Sequence, residues 1–525
     1  MKRKSCGSIG FSGNMPLSGF LLFCLWTVSA CAPVPLDQNK PQSFSFTAPA
    51  EAPLKKAAGL VAAERNADHS TLIPLVEGNE ALGARLRLIE QSAHSLDLQY
   101  FLMKPDLASA LISEALLDAA DRGVRVRYLV DDIFTTVQDE ALAILDAHPN
   151  IEVRLFNPAF RPGPKSFGLA VEFGRVNRRM HNKMFVADGA IAIVGGRNIA
   201  DEYYQIQTDS EFADFEILLL GPAIEGLEES YDLYWNDDWA VPISALHPVP
   251  SQEENKAWRA DLLDRLRPAR QIYEGAVNDP HFARLVSGQE PVYSAHIKVV
   301  TDNPQKLKNP PQGARGGPRI LAEDLLMRMN SASKSVLLMT PYFVPEDYGS
   351  RLFQDLARRG VSVRIVTNSL ASTNHSYVHA GYRRHRRDLL QAGVELHEIK
   401  SDALQAIGRL PVDDPKTLVM HTKIAIIDRD EVFVGSLNFD PRSVKLNTEV
   451  GVFVDSHSFG GFMHDEVERE LRNFTYRLSL DENDDLLWHF EHPAAPEITT
   501  KEPGATFAKE IMIGLTSLLG VELQL

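Results

Sequence analysis

Two stretches of this 525-residue chain carry the same side chains at the same intervals. The first is His181, Lys183, Asp188, Gly195-Gly196 and Asn198; the second is His421, Lys423, Asp428, Gly435-Ser436 and Asn438. A lone His-x-Lys-x4-Asp arises by chance in roughly one chain of this length in twenty, so one copy alone says little. Two copies with matching downstream Gly and Asn residues are not coincidence. The side chains suit a phosphodiester, whose negative charge repels nucleophiles. Lysine ammonium groups and Asn amides can hold its non-bridging oxygens and stabilise charge in the transition state. One neutral imidazole can attack phosphorus while the other, protonated, gives its proton to the leaving oxygen. With an ordinary pKa of about 6.5, histidine supplies both forms near neutrality. His181, Lys183, Asn198, His421, Lys423 and Asn438 are therefore the candidate catalytic residues. The set calls for no metal and no cofactor.

The elements that must position these groups are legible around them. Met184–Ala187 is apolar, Asp188-Gly189 is a turn pair and Ile191–Val194 is apolar again, which predicts a hairpin with His181 and Lys183 at its entry. Residues two apart on a strand share a face, so His181 and Lys183 address one ligand. Asp188 lies an odd interval from His181, as Asp428 does from His421, so both aspartates read as supports at the turn and not as catalytic acids. The repeat extends further. Leu96–Phe101 reads as a strand, Leu107–Arg122 as a helix and Gly123–Val130 as a strand; Val336–Met339, Gly349–Arg359 and Gly360–Val366 repeat that grammar. Short β-branched runs alternating with amphipathic helices imply a largely parallel or mixed sheet covered by helices in each half.

The motif pair resembles the HKD motifs of the phospholipase D superfamily. Longer stretches resemble its bacterial cardiolipin synthase branch, the C type in particular: 177–183, 195–199, 340–345, 379–383 and 434–443. The resemblance covers residues 71 to 525 apart from parts of a connector. It implies an α/β fold of two pseudo-symmetric α/β/α sandwich domains, 71–290 and 291–525, that share one active site. It also implies that one histidine becomes a phosphohistidine while the other is the general acid; we assign these roles to His181 and His421. The family places an acidic residue behind each histidine. Glu449 fits after the second motif, and Asp214 after a longer loop in the first. The implied substrates are membrane phospholipids: phosphatidylglycerol as acceptor, and phosphatidylglycerol or phosphatidylethanolamine as donor. Where the second copy has Ser436 the first has Gly196, so one half lacks a hydroxyl donor.

The first thirty residues stand apart. Lys2, Arg3 and Lys4 precede an apolar run from Met15 to Ala30, too short for a membrane span and suited to a secretory signal. The run ends in Val28-Ser29-Ala30-Cys31, which resembles a bacterial lipobox and implies cleavage before Cys31 and lipidation of it. Residues 1–30 are then a signal peptide and 31–70 a flexible tether, with order beginning near Thr71. An envelope location follows, lipid-anchored and facing the periplasm. Of three cysteines only Cys31 would remain, which leaves no disulfide and no thiolate metal site. The net charge is −16, or −19 once three signal charges are removed. So acidic a chain is a poor generic nucleic-acid binder, which weighs against a nuclease and for no nucleic-acid partner. Plain phospholipase D hydrolysis is the nearest rival, because sequence does not decide whether an alcohol or water attacks in the second step.

Weaker signals remain. Arg175, Arg178 and Arg179 could gather anionic headgroups or be a solvated basic stretch. The basic, aromatic-laced segment 374–387 reads foremost as a helix with an exposed basic face. Residues 240–290 read as a connector, 309–318 as a surface loop and 507–525 as a helix packed on the body.

Overall fold

A computed structural model describes residues 34, 36, 40–62, 66, 68–161, 172–206, 209–267, 269–280, 284, 289–308, 320–411, 413, 415–507, 509–511 and 513. The signal-like run, Cys31, the 309–318 loop and the last twelve residues lie outside them.

The first half opens with helix α1 (Pro53–Ala62), then β1 (Ser70–Leu75), α2 (Gly78–Gln91), β2 (Ser95–Tyr100), α3 (Leu107–Asp121), β3 (Arg125–Asp131), α4 (Asp139–Asp146) and β4 (Ile151–Phe156). Short strands β5 (Arg179–Met180), β6 (Met184–Ala187), β7 (Ile191–Gly195), β8 (Ser210–Ala213) and β9 (Glu216–Leu220) follow, then α5 (Ala223–Trp235) and β10 (Ala240–Pro242). The sheet runs β10-β4-β3-β2-β6-β7-β9-β1, with β4, β3 and β2 parallel and every other pairing antiparallel. The parallel core follows from the two strand–helix–strand units; one face of its strands is apolar, and the other carries the buried Asp97, Arg127 and Arg154 among its apolar residues. In the connector, α6 (Gln252–Leu266) and α7 (Arg270–Val277) pack against α3 and α2.

The second half repeats the plan with β11 (Tyr293–Thr301), α8 (Ile320–Asn330), β12 (Ser335–Met339), α9 (Glu346–Arg358), β13 (Ser362–Asn368), α10 (Ser376–Arg383), α11 (Arg386–Gln391) and β14 (Glu395–Ile399). Then come β15 (Thr417–Met420), β16 (Ile424–Ile427), β17 (Glu431–Gly435), β18 (Asn447–Thr448), β19 (Val450–Asp455), α12 (His457–Phe474) and β20 (Thr475–Leu480). Its order β20-β14-β13-β12-β16-β17-β19-β11 matches the first sheet, and β21 (Leu486–Phe490) and β22 (Glu497–Thr499) extend it antiparallel beyond β20 with no counterpart in the first half. The register repeats too: Ser95 opposes Arg125 as Ser335 opposes Ser362.

The halves are fused rather than merely linked. Strand β11 pairs with β1 through Tyr293–Ala295 and with β19 through His296–Thr301, so it belongs to both sheets. One apolar cluster runs across the junction, from Val194 and Ile217 to Ile424, Val434 and Val452.

The expected tether is partly body. Residues 40–48 lie on the first half and α1 packs beside α2, with Ala48, Ala52 and Leu54 buried. Order thus begins well before Thr71. The reason is that Ser43 and Ser45 satisfy charged groups of the body, a role their polar, Pro-rich surroundings do not announce.

Candidate active site

Each motif strand is pinned to the opposite half. Strand β5 pairs in parallel with β18, Met180 against Thr448, and the His181 N–H donates to the Thr448 carbonyl at 2.9 Å. Strand β15 pairs in parallel with β8, Met420 against Ala213, and the His421 N–H donates to the Ala213 carbonyl at 2.7 Å. The residues that follow Thr448 and Ala213 are Glu449 and Asp214. Their carboxylates therefore arrive behind the histidine of the other half: Glu449 Oε2 is 2.9 Å from His181 Nδ1, and Asp214 Oδ2 is 2.6 Å from His421 Nδ1. Position in sequence places each carboxylate with its own motif. The parallel inter-half pairings cross them.

All four of these groups are buried, as are both lysines. Lys183 Nζ donates to the carbonyl of His181, and Lys423 Nζ to that of His421, both at 2.6 Å. Lys423 Nζ also lies 3.1 Å from each ring nitrogen of His421. Asn198 Nδ2 donates to the Tyr203 hydroxyl at 3.0 Å. The Oδ1 atoms of Asn198 and Asn438 are buried with no hydrogen-bond partner. A half-turn of the Asn198 amide lets Tyr203 donate to Oδ1 and frees the NH2 group for an anion.

The motif aspartates stand elsewhere. Asp188 accepts backbone N–H bonds from Ala93, His94 and Ser95 at 2.8 to 2.9 Å. Asp428 does the same with Ser333, Lys334 and Ser335, and accepts the Ser333 hydroxyl. Each clamps its hairpin turn to the start of the neighbouring strand. Asp188 and Gly189 have φ of 54° and 55°, Asp428 and Arg429 of 54° and 64°. Both turns thus need two left-handed residues, which Asp-Gly signals openly and Asp-Arg does not.

Comparisons with known proteins bear on this arrangement. The family model described as cardiolipin synthase, PLD-like domain, matches residues 86–213 and 325–474, more than half of the chain and both motifs. Cardiolipin synthase C of Escherichia coli (strain K12) is 36% identical over 459 residues, which is 86% of this chain and 95% of that protein. The chain belongs to the cardiolipin synthase family of phospholipase D-like proteins. Cardiolipin synthase 1 of Bacillus cereus is 26% identical over 73% of this chain and 63% of its own. Among solved structures, the phosphatidylserine synthase of Haemophilus influenzae Rd KW20 shares the fold, with a TM-score of 0.56 at 12% identity over 86% of this chain and 95% of that one.

Within this cardiolipin synthase fold the two histidine–carboxylate pairs differ. Burial pushes the Glu449 carboxyl up to about 7, against the pull of Lys183 and the Ser436 hydroxyl that donates to it. Burial also acts on Asp214, yet the hydrogen-bonded His421 ring, Lys423 and Arg197 hold it below the usual carboxylate range. Gly196 explains part of the difference. A Cβ there would sit 2.1 Å from Asp214 Oδ1, so the shorter carboxylate packs directly on the glycine, where Ser436 instead hydrogen-bonds the longer Glu449. Burial and the two lysines keep His181 well below its ordinary pKa; burial and Lys423 hold His421 down to about 3. Burial lowers Lys423 to about 8 and holds Lys183 well below its ordinary value. A phosphodiester anion is the partner that reverses these shifts, because it favours every cationic form around it.

Several residues of the site were not signalled by motif spacing. Phe101 sits edge-on to His181 at 4.7 Å and under Lys183 Nζ at 5.1 Å. Tyr203 and Phe212 flank His421 at 5.1 and 5.7 Å. Phe101 was visible only as the end of a strand run. The arginines before His181 have structural partners: Arg179 pairs with Asp131 at 3.0 Å in the interior, Arg175 pairs with Glu172, and Arg178 donates to the Leu307 carbonyl. In the basic segment, His379, Arg383 and Arg386 all meet Glu502.

Proposed function

We propose that this enzyme makes cardiolipin by transferring a phosphatidyl group through a histidine. His181 Nε2 attacks the phosphorus of a donor phospholipid, the bond to the headgroup oxygen breaks, and His421 gives that oxygen its proton. The hydroxyl of phosphatidylglycerol then attacks the phosphohistidine, His421 takes its proton, and the P–N bond breaks. The observation that carries this reading is the pair of crossed histidine–carboxylate contacts with both lysines in one buried site. Asp214 stays ionised against His421 Nδ1, which favours the imidazolium an acid needs; Glu449, when ionised, accepts a hydrogen bond from His181 Nδ1–H and leaves Nε2 with its lone pair free to attack. The lysines and the Asn198 and Asn438 amides hold the non-bridging oxygens.

The fold's relatives are named for cardiolipin and phosphatidylserine synthesis, which supports a phospholipid substrate. Anchoring through a lipid on Cys31, on the periplasmic side of an envelope membrane, belongs to the same proposal. Among the described residues no helix is long and apolar enough to cross a membrane. The test is lipid mass spectrometry of a cardiolipin-deficient bacterial host expressing the chain beside its His181→Ala and His421→Ala variants. Cardiolipin only with the intact chain supports the synthase. Phosphatidic acid in its place makes the enzyme a hydrolase, and unchanged lipids direct the search to nucleic-acid phosphodiesters.

A further inference from the structure

Residues 40–48 cross the face of the first sheet that α5 also covers, and they do so in a defined direction. At one end, Lys40 Nζ donates to the carbonyls of Asp237 and Ala240, and the Pro41 carbonyl accepts from Arg154 at 2.8 Å. In the middle, the Ser43 carbonyl accepts from Arg127 at 2.9 Å, the Ser43 hydroxyl accepts from Trp235 Nε1 at 2.8 Å, and the Ser45 N–H donates to Asp232. At the far end, the Ala48 N–H donates to the Asp188 carbonyl at 3.1 Å and Lys55 Nζ to that of Gly189.

These partners fix which end is which. Ala240 opposes Phe156, the last residue of β4, and the next carbonyl, that of Asn157, accepts from Arg179, two residues before His181. Lys40 therefore sits at the catalytic edge of the sheet. Asp188 and Gly189 mark the opposite edge, where the hairpin turn is clamped to the start of β2. Read from its N-terminal side, the segment enters at the catalytic edge and leaves at the other.

Nine Cα–Cα steps separate Cys31 from Lys40, a reach of at most about 30 Å. An anchor on Cys31 therefore lies beside the catalytic edge unless the linker is drawn out almost fully along the roughly 20 Å to the opposite one.

We propose that residues 40–48 act as an orienting strap, which ties the catalytic edge of the enzyme to the lipid surface in which its Cys31 anchor is embedded. The proposal rests on the reading of Cys31 as lipidated and of phospholipid as substrate. The strap's bonds to Arg127, Asp232 and Trp235 make the attachment rigid where a loose tether would let the body tumble. The substrate phosphodiester then faces the active site as it leaves the bilayer surface.

The test uses the full chain, exported with its own leader, purified with its anchor and reconstituted in phosphatidylglycerol–phosphatidylethanolamine vesicles. A thiol fluorophore is placed at Phe173→Cys, exposed on the catalytic edge, or at Glu90→Cys, exposed on the opposite edge, and is quenched by nitroxide lipids. Quenching several-fold stronger at 173 than at 90 is expected, and a twenty-residue Gly-Ser insertion between Leu36 and Lys40 should bring the two towards parity. Equal quenching at both sites in the uninserted chain, or stronger quenching at 90, overturns the strap. Mass spectrometry of the Cys31 peptide separates a failed anchor from a failed orientation: no acyl chains there overturns the proposal at its premise. Cardiolipin formation on the same vesicles reports independently on the substrate.

Discussion

Replacing Asp188 and Asp428 by alanine, one at a time, separates a structural from a catalytic role for the aspartate of each motif. Asp188 is fully buried and accepts three backbone N–H bonds. A hydrogen bond to a charged group contributes about 1.5–3 kcal/mol, and removing the acceptor strands buried donors. Three such bonds, discounted for non-additivity, put the loss for Asp188→Ala at roughly 4–6 kcal/mol. Asp428 makes the same three bonds from a half-exposed position, where water replaces it at Ser333 and Lys334, so Asp428→Ala loses only about 1–3 kcal/mol. The left-handed strain of alanine is common to both turns and cancels in the comparison. Seven extended residues, about 20 Å, separate each aspartate from its histidine, twice the screening length of about 10 Å. Turnover per folded molecule should therefore stay close to the parent's. The assay pairs urea denaturation of the purified full chain with turnover normalised to folded protein. Asp188→Ala with an unshifted midpoint and abolished turnover would refute the structural reading, and Asp188→Asn, which tolerates the left-handed turn, guards against a variant that fails to fold.

Three further outcomes follow from the carboxylates. In Gly196→Ala the new Cβ meets Asp214 Oδ1 and must push that carboxylate off His421, so kcat should fall on the order of 10²-fold or more; an unchanged kcat would remove Asp214 from the mechanism. Glu449, raised to about 7 by burial, should give kcat/KM a rising limb centred near pH 7, as its ionised form supports positive charge developing on His181, and Glu449→Gln should be slower and lack that limb. The same shift acts on stability with the opposite sense. Between about pH 4.5 and 7 the folded chain keeps a proton on Glu449 that the unfolded chain has lost, so this group makes stability fall as pH rises through that window, and the Gln variant should fall less steeply there than the parent.

What could be read in advance was local and repeated; what could not was the contact between repeats. The hairpins, the odd interval of Asp188 and Asp428, and the strand–helix–strand units follow from periodicities of two and 3.6 within a few residues of each motif. The β5–β18 and β8–β15 pairings join residues more than 200 positions apart and leave no periodic trace, so the partner of each carboxylate was out of reach. The 40–48 segment failed for another reason. Its Ser, Pro and Gln composition is that of a linker, and partners on the body such as the buried Arg127 and the half-buried Asp232 turn it into an ordered element. Arg175, Arg179 and Arg386 show the converse: charge runs that suggested a ligand are paired within the fold.

Crossing the carboxylates has a chemical consequence beyond geometry. A histidine whose supporting acid came from its own half could titrate correctly without the other half. Here neither can: His181 depends on β18 and His421 on β8, so the site exists only when the two sheets meet through β11 and the shared core. Two symmetric halves would, however, make two equivalent histidines, and a two-step transfer needs one to attack while the other donates. The chain departs from its own repeat at the two positions that matter, Gly196 against Ser436 and Asp214 against Glu449. The glycine admits a short carboxylate that stays charged behind one ring. The serine holds a longer one that takes up a proton near neutrality behind the other. Exchanging both pairs together, Gly196→Ser with Asp214→Glu and Ser436→Gly with Glu449→Asp, should restore the packing while moving the phosphorylated histidine from His181 to His421. Trapped phosphohistidine still at His181 in that fourfold variant would show that the roles are set elsewhere.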